Sequence, residues 1–283
     1  MWNEDGVAGP VRTNGSDIGD LLSAIVAKTP VQPVLDGESW SRSGYKPTPT
    51  IIEAAQALYQ GHRVEDITRS DAGAKNLSQT VACLSDVIED AKTKGQKAIC
   101  FVTGVPGAGK TLAGLNLVNL RTKAHEDEHA VFLSGNGPLV EVLREALARD
   151  EHSRSKEQGE KSKKSDAARK VNSFVQNMMH FRDNSLLTSD APIERVAVFD
   201  EAQRAWDASH LGKFMIQKRG QVNFAMSEPE FLISVMDRHT DWCTIICLVG
   251  GGQEINAGEA GLTEWFSALK RCFPAGRFTL QIS

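Results

Sequence analysis

The run Gly104-Val-Pro-Gly-Ala-Gly-Lys-Thr111 constrains this chain more than any other stretch. Glycines at fixed offsets let backbone N–H groups turn toward one point, and a helix starting directly afterwards adds the positive end of its dipole. Such a loop needs a buried strand before it and a helix behind it. The flanking residues supply both: Ala98–Thr103 reads as an apolar strand and Thr111–Arg121 as a helix. The pattern grips the phosphates of a nucleoside triphosphate. Gly104, Val105, Pro106, Gly107, Ala108, Gly109, Lys110, Thr111 and Leu112 form the expected cradle. Lys110 is expected to reach the β- and γ-phosphates, and Thr111 to coordinate Mg²⁺.

Val196-Ala-Val-Phe-Asp200-Glu201 offers the complementary chemistry. A buried strand delivers Asp200 at its C-terminal end, where a carboxylate can hold the magnesium shell. Glu201 beside it is the candidate to polarise an attacking water. Leu248-Val-Gly-Gly-Gly-Gln253 ends a third apolar strand in glycines and a neutral amide. Gln253 is a candidate sensor of the γ-phosphate, coupling its loss to movement. The strand of Gln253 is predicted between the P-loop strand and the Asp200 strand, so that all three motifs meet at the C-terminal edge of one sheet.

Alternation supports that picture. Further strands are predicted at Ala130–Leu133 and Arg277–Ile282, with helices at Leu139–Ala148, Glu230–Arg238 and Leu262–Leu269. Strands alternating with helices predict an α/β fold with a mostly parallel sheet covered on both faces. Upstream, Thr50-Ile-Ile-Glu53 has the form of a capping box opening a helix that Gly61 ends. A second amphipathic helix is predicted over Ser78–Lys92. The expected organisation is a loosely structured lead over 1–48 with a short helix near Leu21–Val26, a helical lead-in over 49–95, and the P-loop domain over 96–283. The dense charge of Asp150–Lys170 reads as a surface insertion, a solvated loop more often than a phosphate-backbone contact.

Composition excludes several classes. The 283 residues are 41% hydrophobic and 24% charged with a formal net charge of −4. That balance argues against coating nucleic acid through bulk charge, though not against a local basic groove. Apolar runs fall short of the roughly 18 residues that span a bilayer, and Met1-Trp-Asn-Glu-Asp is no secretory leader, so the expected setting is cytoplasmic with no membrane contact. The five cysteines make no zinc-like pairs, and Cys243 and Cys247, too far apart on one predicted strand for a disulfide, read as buried reduced thiols. His125-Glu-Asp-Glu-His129 matches a zinc-protease pattern but sits in a polar stretch just before a strand, where a solvated helix end is the better reading.

Four segments together resemble the Schlafen group-three-like DNA/RNA helicase domain family, P-loop ATPases related to superfamily 1 helicases. They are Tyr45–Tyr59, Gly104–Thr111, Phe199-Asp-Glu-Ala-Gln-Arg-Ala-Trp206 and Gly250-Gly-Gly-Gln-Glu-Ile-Asn256. The resemblance covers roughly Trp40 to the C-terminus. It implies a three-layer RecA-like P-loop fold, ATP as the nucleotide, and Gln79 within Asn76-Leu-Ser-Gln79 as an adenine contact. It also implies a DNA or RNA strand as partner near Ser134-Gly-Asn136. The glycine element is one residue shorter than in superfamily 1 motors and lacks their aspartate. A second RecA-like domain, source of an arginine finger, is not legible here. The chain is therefore expected to act as a first motor domain, with the second missing or carried by a partner chain. A non-catalytic nucleotide-gated binding module is the alternative; a small-metabolite kinase ranks last.

Overall fold

The computed structural model describes residues 13–28, 38, 49–62, 71–157, 163–220, 224–250, 258–273 and 278–282. The chain divides into two compact units, Met1–Pro47 and Thr48–Ser283. In the first, α1 (Ile18–Lys28) contains the predicted apolar stretch; the remaining residues of the expected lead, apart from Thr13–Asp17 and Glu38, lie outside the described residues.

In the second unit, Thr50 and Glu53 close the predicted capping box. Thr50 Oγ1 accepts from the Glu53 N–H at 3.2 Å, and Glu53 Oε2 accepts from the Thr50 N–H at 2.8 Å. This opens α2 (Ile51–Gln60), and Gly61 at φ 93° ends it. Next come α3 (Asp71–Lys94), β1 (Lys97–Gly104), α4 (Lys110–Ala124), β2 (Val131–Ser134) and α5 (Gly137–Glu157). After these follow α6 (Lys164–Phe174), β3 (Val175–Asn177), α7 (Met178–Ser185), β4 (Val196–Asp200) and α8 (Ala208–Arg219). The last elements are α9 (Glu228–Met236), β5 (Cys243–Gly250), α10 (Gly261–Cys272) and β6 (Phe278–Ile282).

The six strands form one sheet in the order β3-β2-β4-β5-β1-β6, and every pairing is parallel. As predicted, β5 lies between the P-loop strand β1 and the Asp200 strand β4. Side chains alternate across the sheet with period two. Cys100, Val102, Val198, Ile246 and Leu248 pack in one core with α3, α4 and α5. Ile99, Phe101, Phe199, Ile245 and Cys247 face the other core, with Leu232, Met236 and Trp265 from α9 and α10. The result is a three-layer α/β structure. Helices α2 and α3 contribute Leu58, Leu84 and Ile88 to the first core, so residues 49–95 are built into the P-loop unit.

Two expectations change. Asp150–Glu157 continues α5, and Lys164–Lys170 opens α6, so most of the charged stretch is helical rather than looped. Sparse apolar residues at helical spacing explain it: Val140, Leu143 and Leu147 on α5, and Ala167, Val171 and Phe174 on α6, are buried. The charge is also used inward, since buried Glu151 pairs with Lys170 at 2.5 Å and Arg154 at 3.3 Å. The segment Glu126–Glu128 is a 3₁₀ turn in which Asp127 is exposed as expected but Glu128 is not. Glu128 is 1% exposed and receives Arg121 and Lys92. It also draws near Glu89 and His125, but Arg121 bonds both glutamates, leaving no zinc-protease arrangement.

Helix α4 carries the P-loop's lysine and lies close to the sheet at Gly114. A methyl group there would stand 2.7 Å from Leu248 Cδ1 and 3.0 Å from Val198 Cγ1. Alanine normally favours a helix interior over glycine by about 1 kcal/mol. Overpacking costs about 1–3 kcal/mol and is expected to win. Gly114→Ala should therefore lower the thermal midpoint by several degrees; an unchanged or raised midpoint in calorimetry would contradict this packing.

Candidate active site

The P-loop turn is set by local chemistry. Ala108 N–H donates to Val105 O at 3.2 Å, closing a turn with Pro106 second and Gly107 third. Proline fixes the second position, and Gly107 at φ 81° takes the left-handed conformation that a type II turn demands. Gly109 at φ 85° then caps α4 with no side-chain hydrogen bond of its own. The first-turn N–H groups of Lys110, Thr111 and Leu112 have no intrahelical acceptor and face the loop, an arrangement suited to an anion. The Lys110 ammonium donates to the carbonyls of Gly104 at 2.7 Å and Val105 at 3.0 Å.

Strand register brings the acid to this loop. Gly104 pairs with Gly250, Phe199 with Cys247 and Ser134 with Asp200, so β1 and β5 end level with each other, and β4 and β2 end level two residues earlier. Thr111 Oγ1 donates to Asp200 Oδ1 at 3.0 Å, and Ser134 Oγ lies 3.5 Å from Asp200 Oδ2. Asp200 is 4% exposed. Burial pushes its carboxyl up to about 6, against the hydrogen bonds from Thr111 and Ser134, while neighbouring Glu201 adds repulsion in the same upward direction.

Glu201 has φ 52°, one of two non-glycine residues with positive φ among the described residues. That conformation is costly for a side chain with a Cβ and turns the chain from β4 into the 3₁₀ turn Ala202–Arg204. Three contacts hold it there. The buried Trp265 indole donates to Ala202 O at 2.8 Å. Glu228 accepts from the Trp206 N–H at 3.0 Å and from buried Arg182 at 2.8 Å. Gln203, itself buried, donates to Glu201 and accepts from the Gly250 N–H at 3.0 Å. Gln203 thus ties the acidic turn to the end of β5, and Ser134 steadies Asp200. The sequence assigned neither role, because strand register and a shared amide leave no spacing signal.

A cavity of about 510 Å³ opens beside these groups, lined by Asn136, Asp200, Glu201, Arg204 and Trp206 among others. Against the P-loop, a smaller space of about 170 Å³ is lined by Asn76, Leu77, Thr80, Gly109 and Lys110. Gln79 lies instead on the exposed face of α3. Gln253 lies outside the described residues; its strand ends at Gly250, directly across from Gly104. Lys110, Thr111, Asp200 and Glu201 are therefore brought to one sheet edge, while Gln79 is not.

Fold and loop together define a RecA-like P-loop protein. The profile of the family described as Schlafen group 3, DNA/RNA helicase domain, matches residues 97–282, and the chain belongs to that family. No curated protein matches significantly. A chain from the solved "Structure of Drosophila ORC bound to DNA" is 13% identical, with a TM-score of 0.34 over 90% of this chain and 37% of that one. This chain thus spans well under half of that neighbour's length, and so loose a likeness bears on neither fold nor function. No helix among the described residues is long and apolar enough to cross a membrane.

The raised pKa of Asp200 has a consequence for stability. The native state holds this proton longer than the unfolded chain does, so the penalty is absent below about pH 4, grows up to about pH 6, and is complete above it. In EDTA at pH 8, Asp200→Asn is expected to stabilise the protein by about 2–3 kcal/mol. At pH 4 the gain should vanish in denaturant titrations. A variant less stable than its parent at pH 8 would contradict this electrostatic assignment.

Proposed function

We propose that the chain binds Mg²⁺-ATP across Gly104–Thr111 and Asp200 and hydrolyses it, acting as the first motor domain of a helicase-like or translocase-like protein. The observation that carries this reading is the 3.0 Å contact between Thr111 Oγ1 and Asp200 Oδ1, with Glu201 next in the chain. The donor set fits a magnesium nucleotide: a hydroxyl and a carboxylate, both hard oxygen ligands, stand beside a ring of backbone N–H groups and one ammonium. Bound magnesium would neutralise charge on the phosphate oxygens, with Thr111 and ionised Asp200 holding it.

The protein's own groups then divide the work. Lys110 exchanges its two carbonyl acceptors for more strongly accepting phosphate oxygens. Glu201 takes a proton from the attacking water, and the Gln203 amide keeps its carboxylate aimed. The products are ADP and inorganic phosphate. Family membership supports a DNA or RNA strand as partner, and the cavity bearing Asn136, Arg204 and Trp206 offers polar, cationic and aromatic groups for it. The second RecA-like domain, with its arginine finger, is proposed to come from elsewhere in the full protein or from a partner chain.

Lys110→Ala is expected to weaken ATP binding at least tenfold, read by fluorescent-nucleotide titration. Glu201→Gln should still bind ATP, while its turnover falls by about 10²–10³. Turnover should be measured with and without single-stranded DNA, single-stranded RNA and duplex; stimulation by a strand is expected. Wild-type turnover in the Glu201→Gln protein would remove the base. Firm ATP binding with negligible turnover in every arm would point to a nucleotide-gated binding module instead.

A further inference from the structure

A second cavity, of about 440 Å³, lies at the opposite edge of the sheet. Ala130 and Glu194, which line it, directly precede β2 and lie just before β4. It is thus at the N-terminal ends of the strands whose C-terminal ends carry the nucleotide motifs. Helix α4 joins the two regions: Lys110 stands at its start and Lys123 near its end, about 20 Å away at 1.5 Å per residue.

Three cations around this cavity, Lys123, Arg154 and Lys170, outnumber its two carboxylates, Glu151 and Glu194. Lys123 Nζ donates to the Tyr59 carbonyl at 2.6 Å, and Arg154 approaches the same oxygen at 3.5 Å. Both also lie 5.6 Å from the centre of the Tyr59 ring. Lys170 stands alongside, paired with Glu151. The carbonyl at the end of α2 accepts from both, one donor to each lone pair, and a third cation adjoins. Glu151 serves both Arg154 and Lys170. Glu194, buried on the far side, receives Gln176 at 3.1 Å, and burial shifts it toward its neutral form. Desolvation, with Arg154 and Lys170 nearby, holds Lys123 below its ordinary range. The Thr122 hydroxyl, also in the lining, is buried without a hydrogen-bond partner among the described residues. The floor is apolar: Phe174 stacks on Tyr59 at 5.4 Å and 13°, and Ile193 stands 67% exposed at the rim.

We infer that this cavity is a second ligand site, separate from the P-loop, for a small organic phosphate whose phosphate sits among Lys123, Arg154 and Lys170. Its apolar body lies along Phe174 and Ile193. The volume falls within the range of small-ligand pockets, and a phosphate offers charge-assisted acceptors to three cations that otherwise share one carboxylate and one carbonyl. The Tyr59 ring already stacks on Phe174 and has Lys123 and Arg154 at 5.6 Å from its centre, so ring stacking on it contributes nothing to specificity.

The test uses the full chain carrying Lys110→Ala, which silences the P-loop, with phenyl phosphate and inorganic phosphate as calorimetric probes. Saturable one-to-one binding of phenyl phosphate is expected, at least tenfold tighter than inorganic phosphate. Combined Lys123→Gln and Lys170→Gln should weaken it at least tenfold. With Lys110 restored, the same pair should leave ATP binding unchanged, which certifies the fold even as loss of the Lys170–Glu151 contact lowers the melting midpoint. Ile193→Trp should weaken phenyl phosphate but not inorganic phosphate. No saturable binding of either probe, or binding indifferent to the lysine pair, would overturn the site. So would a single-stranded oligonucleotide that binds through these lysines when phenyl phosphate does not. Because the P-loop is disabled in the first arm, failure here leaves the ATPase proposal untouched.

Discussion

The hydrogen bond from Thr111 to Asp200 joins two segments that the chain holds far apart, and the rest of the site is arranged around it. It forms because β4, β5 and β1 are parallel and finish on the same side of the sheet, β4 two residues short of the others, with Gly104 opposite Gly250 and Phe199 opposite Cys247. It also requires α4 to lie close to the sheet, which Gly114 permits by presenting no side chain to Leu248 and Val198. Burial makes ionised Asp200 unfavourable, and two hydroxyls, from Thr111 and Ser134, only partly offset that cost. A carboxylate kept dry and poorly compensated is well suited to a cation, since the missing stabilisation is what the ion supplies.

Around this contact the protein stores strain and then braces it. Glu201 sits in a left-handed conformation that costs on the order of 1–3 kcal/mol. The Trp265 indole, the Glu228–Arg182 pair and the Gln203 amide prevent its release. Gln203 is the most informative of these, because one side chain contacts both Glu201 and the end of β5.

Much of this was legible in the residues alone, for identifiable reasons. Lys110, Thr111, Asp200 and Glu201 could be picked out because the pattern sets a glycine loop between strand and helix and a carboxylate at the end of another strand, and the structure brings all four to one sheet edge. The place of β5 between β1 and β4 followed from the requirement that three motifs share an edge. The charged stretch misled, because its surface charge hid Ala167, Val171 and Phe174, which hold α6 down, and because Glu151 is buried only by virtue of its cationic partners. Strand β3 is three residues long and has too little pattern to find. Ser134 and Gln203 act through register and through a shared amide, neither of which leaves a mark in sequence spacing. Gln79 looked inviting beside the P-loop, but the helical phase of α3 turns Asn76, Leu77 and Thr80 toward the loop instead.

The most direct measurement is a crystal structure of the full chain with magnesium and a non-hydrolysable ATP analogue. The triphosphate is expected over Gly104–Thr111, with Thr111 Oγ1 and the Asp200 carboxylate holding the metal, either directly or through one water. A triphosphate seated elsewhere, or a metal beyond the reach of Asp200, would contradict it.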